Sequence, residues 1–215
     1  MKLILKQKNN ILKTYNRGFT LVETLVAIFI LTIALNAFFG IIATSLFSAR
    51  YAQNEITANY LLQEVVDYVR NDRDTYAFQK IGDVDGGWVN FLSKYGYGGG
   101  PSLELCFVPF SSNGGCEIEP ADTNPLTQVI SCSTPTTGDF GTQSCRRLNY
   151  DENAVNKNFY TYKNDGVPVN FKRQVIMSVN PGRPDELDIR VTVEWKNGNL
   201  VRSRSLQVSL LNWQQ

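Results

Sequence analysis

The sequence predicts an α+β chain in which one long N-terminal helix packs on a C-terminal antiparallel β-meander. Three observations carry this. No proline occurs between Met1 and Gly100, and apolar side chains run almost unbroken from Phe19 to Phe47. Beyond them Ile56, Tyr60, Leu62, Val65, Val66 and Val69 recur at helical spacing, with polar residues between. Near the end, Leu187, Ile189, Val191, Val193 and Trp195 alternate with polar residues, the period of a half-buried strand.

Residues 1–18 read as a basic leader. They carry Lys2, Lys6, Lys8, Lys13 and Arg17 and no acid, which leaves 16 Lys+Arg against 20 Asp+Glu in the rest. A remainder with more acid than base argues against specific nucleic-acid binding, because phosphate contacts need clustered cations. The pairs Arg146–Arg147 and Lys172–Arg173 are expected to be solvated surface charges.

The run from Phe19 to Phe47 exceeds the ~20 apolar residues that span a bilayer. Basic residues flank its N-terminal side, so that end is expected in the cytoplasm and the rest outside, a single-pass N-in/C-out protein. A secretory signal places its apolar core before the cleavage site; here the basic stretch ends in Gly18 and the apolar run starts at once. This order suits a cytoplasmic-face protease that removes the leader alone, and a plain uncleaved anchor is the other reading. Glu23 is the anomaly, since a carboxylate in hydrocarbon costs ~2.5–3.5 kcal/mol at a helix centre and less near an end. Residues 19–47, apolar all round, and 48–74, amphipathic, read as one helix on the order of 80 Å long. Asn36 and Gly40 are its expected weak points.

Arg17-Gly18-Phe19-Thr20-Leu21-Val22-Glu23, followed by a long apolar helix, resembles the class III signal of type IV pilins and pseudopilins. The resemblance implies cleavage between Gly18 and Phe19 by prepilin peptidase and N-methylation of the new Phe19 amine. It implies a pilin fold and partners in the lipid bilayer, the inner-membrane assembly platform and other pilin subunits of a helical filament. The protein would sit in the inner membrane first and in an extracytoplasmic pilus or pseudopilus afterwards. Glu23 would then contact the Phe19 amine of a neighbouring subunit, as a register device more than as glue. Ala58–Glu64 and Val69–Asp74 are similar, more loosely, to minor pilins.

Residues 75–215 are expected to form a globular head, with a turn-rich insertion over about 103–146 and a meander over about 169–212. The insertion holds Cys106, Cys116, Cys132 and Cys145, and there is no histidine, so a Cys/His zinc site is impossible. Two disulfides are expected outside the cytoplasm and four reduced thiols inside it. Of the three connectivities, Cys106–Cys116 with Cys132–Cys145 is the first expectation. A short strand is expected over Leu103–Val108. In the meander a strand over Phe171–Val179 precedes the Trp195 strand, Asn197-Gly198 signals a hairpin, and a change of apolar phase between Val201 and Leu206 predicts a bulge.

Gly82–Gly87 lacks the D-x-D-x-D-G spacing of a calcium loop, so a plain turn and no metal are expected. Trp88, Phe91, Tyr95, Tyr97, Tyr160 and Tyr162 are expected to pack the core and loops. Without histidine the common Ser-His and Cys-His arrangements are absent, so no catalytic residue and no cofactor is expected. The insertion and the 197 residues after Gly18 point to a minor pilin-like subunit acting in pilus assembly, adhesion, motility or DNA uptake. A type II secretion pseudopilin, similar to the I-type, is the second reading, and a non-polymerising membrane-anchored binding protein the third.

Overall fold

The computed structural model describes residues 18–99, 105–110, 113–122, 124–132, 140, 144–151, 159–163 and 166–213, with the side chains of 84, 85, 125 and 126 excepted. The chain divides into two units, Met1–Ala49 and Arg50–Gln215. Helix α1, Leu21–Gln79, contributes residues to both. It starts two residues later than the sequence predicts, because Thr20 caps it, and it runs unbroken past Asn36 and Gly40. Asn36 spends its amide on its own helix, donating to the Thr32 carbonyl at 2.9 Å, so no melt is needed to satisfy it. The helix also continues past Asp74, since Ala77 is buried and the Tyr76 ring lies 6.4 Å from that of Phe91.

In the second unit α1 is followed by α2 (Val84–Lys94), β1 (Cys116–Ile118), the single turn α3 (Pro125–Gln128) and β2 (Val129–Ser131). The strands β3 (Arg147–Asp151), β4 (Phe159–Thr161), β5 (Val167–Asn180), β6 (Arg183–Asn197) and β7 (Leu200–Leu211) complete it. β5, β6 and β7 form the antiparallel meander, and the other edge of β5 pairs with β1 and β3. Asn197 faces Leu200 across a two-residue turn, and Gly198 takes φ +63° there, which glycine adopts without a side-chain penalty.

The register from Asn197–Leu200 to Glu186–Leu211 has no shift, so the expected bulge in β7 is absent. Its apolar phase changes for another reason: Leu206 and Val208 pack against the core, whereas Val201 is exposed. Leu105–Val108 is not a strand, and 103–104 lie outside the described residues. Cys106 instead bridges two elements, its N–H donating to the Tyr95 carbonyl at 3.1 Å and its carbonyl accepting from Met177 N–H at 2.8 Å.

The core joins Ala58, Leu61, Leu62, Val65, Val66 and Val69 of α1 to α2 and to the inward face of the meander, where Leu187, Ile189, Val191, Val193 and Trp195 are buried. Ile56 and Tyr60, expected on this face, are exposed, and Ala58 and Leu61 take their places. α2 was not expected. Its Trp88, Phe91, Leu92 and Tyr95 fall at i, i+3, i+4 and i+7, and all are buried. Asp83 caps it by accepting from Gly86 N–H at 3.1 Å, so the Gly82–Gly87 stretch is a turn leading into a helix.

Lys172 and Arg173 are not a solvated pair: both are buried. Arg173 donates to Glu64 of α1 at 2.6 Å and to the Ile118 carbonyl at 2.7 Å, so the cation is placed where helix and sheet meet. Arg146 keeps 44% side-chain exposure but clamps the buried Glu117 at 2.7 Å, and Arg147 lies 4.7 Å from the Phe140 ring. Arg146 is thus an exposed charge that also holds an ion pair, whereas Arg147 is half-buried on β3 and departs from the solvated-pair reading.

Candidate functional site

The features with a functional signature lie in the first unit. Gly18 and Phe19 precede α1, and Phe19 is exposed. Thr20 is the cap: its hydroxyl accepts from the Glu23 N–H at 3.3 Å, and its carbonyl accepts from Thr24 N–H at 3.2 Å. Thr20-x-x-Glu23 is the spacing of a capping box, a signal readable in the sequence and missed there. Glu23 thus sits in the first turn, where the helix dipole favours an anion. Its carboxylate has no hydrogen-bond or ion-pair partner among the described residues.

From Leu21 to Arg50 the helix is exposed on every side, and α1 is long and apolar enough to cross a membrane. Four polar side chains within this stretch, Thr24, Thr32, Asn36 and Thr44, turn back onto their own backbone. Thr24 donates to the Leu21 carbonyl at 2.8 Å, Thr32 to that of Phe29 at 2.8 Å, and Thr44 to that of Ile41 at 2.9 Å. Asn36 likewise places one amide N–H on its own backbone, so each of these side chains lowers its cost in hydrocarbon by an internal bond. A Cβ placed on Gly18 meets nothing within 4 Å, so none of the described residues demands glycine there.

Residues 13–35 match the family model for the prokaryotic N-terminal methylation motif. The chain carries the class III signal of type IV pilins. No curated protein and no solved structure matches the chain. The match covers the N-terminal signal alone; a signal of this type implies membrane anchoring, processing by prepilin peptidase and assembly with other pilins.

In the head, Cys106 is bonded to Cys116 and Cys132 to Cys145, the sequence-local connectivity. Gly115, at φ +114°, lets the first bridge approach β5: a Cβ there would lie 2.5 Å from the Val175 carbonyl. Trp88, Phe91, Tyr95 and Tyr162 are buried, Tyr160 is half-buried, and Tyr97 stays partly open. Among the described residues no cluster of three or more Cys, Asp or Glu side chains is placed to hold a metal.

Proposed function

We propose that the chain is a minor pilin-like subunit of a type IV pilus, cut between Gly18 and Phe19 and N-methylated at Phe19. The observation that carries this is the pilin signal at residues 13–35, which runs into a helix exposed and apolar on all sides, with Glu23 as its one acid in the first turns. Orientation follows from the basic leader, with the N-terminus in the cytoplasm and the head outside. The two disulfides fit an oxidising compartment. Cleavage creates a cation at Phe19, one turn before a carboxylate that has no partner of its own. In a filament the amine of a neighbouring subunit supplies that partner, and a buried pair of this kind fixes register more than it adds stability.

The test is mass spectrometry of the mature protein, followed by localisation in sheared surface filaments. A methylated Phe19 terminus and low-copy incorporation near the tip are expected. An intact Met1 terminus in cells with active peptidase would overturn the reading. Mature protein absent from surface pili, with deletion blocking protein secretion, would transfer it to a type II secretion pseudopilus.

A further inference from the structure

A pocket of about 240 Å³ opens between α2 and the ends of β6 and β7, within the second unit. Trp88, Val89 and Tyr97 form its apolar wall, and Pro184, Asp185 and Asn212 its other side. The wall is fixed, since the Trp88 indole N–H donates to the Pro184 carbonyl at 2.9 Å. The polar side is fixed as well, by Asn212 N–H donating to the Asp185 carbonyl at 2.8 Å. These bonds leave the side chains of Asp185 and Asn212 unused. Among the described residues the Asp185 carboxylate, the Asn212 amide and the Tyr97 hydroxyl have no partner.

The geometry points to a binding site for one neutral saccharide ring, such as the terminal residue of a surface glycan. The volume is below the ~300–1,000 Å³ typical of drug-sized ligands, so a single ring is the size class. None of its described lining residues is cationic, which disfavours a phosphate or sialic acid. A carboxylate that only accepts, beside an amide that both donates and accepts, matches adjacent hydroxyls of a sugar. Tyr97, 42% exposed and held against Phe107 with ring centroids 5.1 Å apart, offers an aromatic surface for the sugar's C–H groups.

This goes beyond the assembly reading and does not depend on it, because an unprocessed precursor carries the same pocket. The full-length chain is therefore tested in a polyoxyethylene detergent, since glucoside and maltoside headgroups are themselves saccharides. Immobilised glucose, galactose, mannose, N-acetylglucosamine and N-acetylgalactosamine termini are the probes, with sialylated and choline-bearing surfaces for comparison. At least one neutral terminus is expected to bind. Asp185→Ala, Asn212→Leu and Tyr97→Ala should each weaken it about tenfold with the melting temperature unchanged. Retention of no neutral sugar, retention of the sialylated or choline surface alone, or binding indifferent to all three substitutions overturns the assignment. Its failure would leave N-terminal processing untouched, so the two readings are separable.

Discussion

Arg173 of β5 and Glu64 of α1 form a 2.6 Å ion pair in which the arginine side chain is fully buried and the glutamate retains 29% exposure. The same guanidinium donates to Ile118, and the Arg173 carbonyl accepts from the Tyr162 hydroxyl at 2.9 Å. The cation therefore ties the helix to β1 from its own strand, β5. Glu64→Ala leaves it without its carboxylate, and loss of one partner of a buried pair costs ~3–5 kcal/mol. The partial exposure of Glu64 puts the expectation at the lower end, about 3 kcal/mol, because water screens the charge left behind. Arg173→Met with Glu64→Leu should lose less than Glu64→Ala alone. Urea unfolding measures both, and equal stability of Glu64→Ala and the parent would remove the pair from the account of the fold.

Alkaline pH should attack the same region. Burial raises the pKa of both Tyr95 and Tyr162, for Tyr162 against the opposing pull of Arg173, and for Tyr95 with Asp72 adding to it. A pKa raised in the folded state means that the stabilisation is complete below the ordinary tyrosine value near 10.0 and is lost as pH climbs above it. Each proton held more tightly by the fold removes ~1.4 kcal/mol per pH unit in that range. Denaturant midpoints should hold from about pH 8 to about pH 10 and fall above it, and Tyr162→Phe should flatten the fall.

The features legible in the sequence are those set by local periodicity. The α1 run, the alternation ending in Trp195 and the Asn197-Gly198 turn each depend on neighbours in the chain, so pattern alone finds them. α2 was hidden because Gly82–Gly87 looks like a turn, although Asp83 and the Trp88–Tyr95 spacing together mark a capped helix. Arg173 departs from its pattern because a long cationic side chain is normally solvated, and the convergence of Glu64, Leu61 and Ile118 on it makes its burial tolerable. Ile56 and Tyr60 fit the helical period but lie beyond the arc that the sheet covers. In the signal, Gly18, Phe19 and Glu23 were read from residue types at fixed spacing. The Thr20 cap is harder to read because threonine followed by an apolar run is as compatible with the helix interior as with its end.

The two disulfides should contribute unequally. Cys106 and Cys116 are wholly buried, and Cys106 carries backbone bonds to Tyr95 and Met177. Cys132 is partly exposed. Removing a native bridge from a small secreted domain typically costs ~2–5 kcal/mol. The double substitution Cys106→Ala with Cys116→Ala is expected near the upper end, and Cys132→Ala with Cys145→Ala near the lower. Equal denaturation midpoints for the two variants would show that the buried bridge holds nothing beyond its own loop.

Gly18→Ala should abolish leader removal while leaving folding and membrane insertion unchanged. A Cβ at this position meets no atom of the described residues within 4 Å, so the expected effect lies where the peptidase grips the chain. Immunoblotting for the size shift, with carbonate extraction for insertion, separates the two. Normal processing of the variant counts against cleavage after Gly18.

Glu23→Ala isolates the assembly role because the structure separates side chain from backbone at this residue. The helix start depends on the Glu23 N–H, which Thr20 accepts, and that bond survives the substitution. The carboxylate itself holds nothing among the described residues, so its loss should leave the precursor inserted, helical and cleaved. Incorporation into filaments should nevertheless fall sharply, since the Phe19 amine of a neighbour then loses its counter-charge in an apolar bundle, at ~3–5 kcal/mol. Thr20→Val is the complementary variant: it removes the cap at a cost of ~1 kcal/mol and should fray the helix start while keeping the acid. Quantifying both variants in sheared filaments against a membrane-fraction control discriminates the roles. If Glu23→Ala incorporates as well as the parent, the acid serves the helix end alone and the inter-subunit contact is refuted.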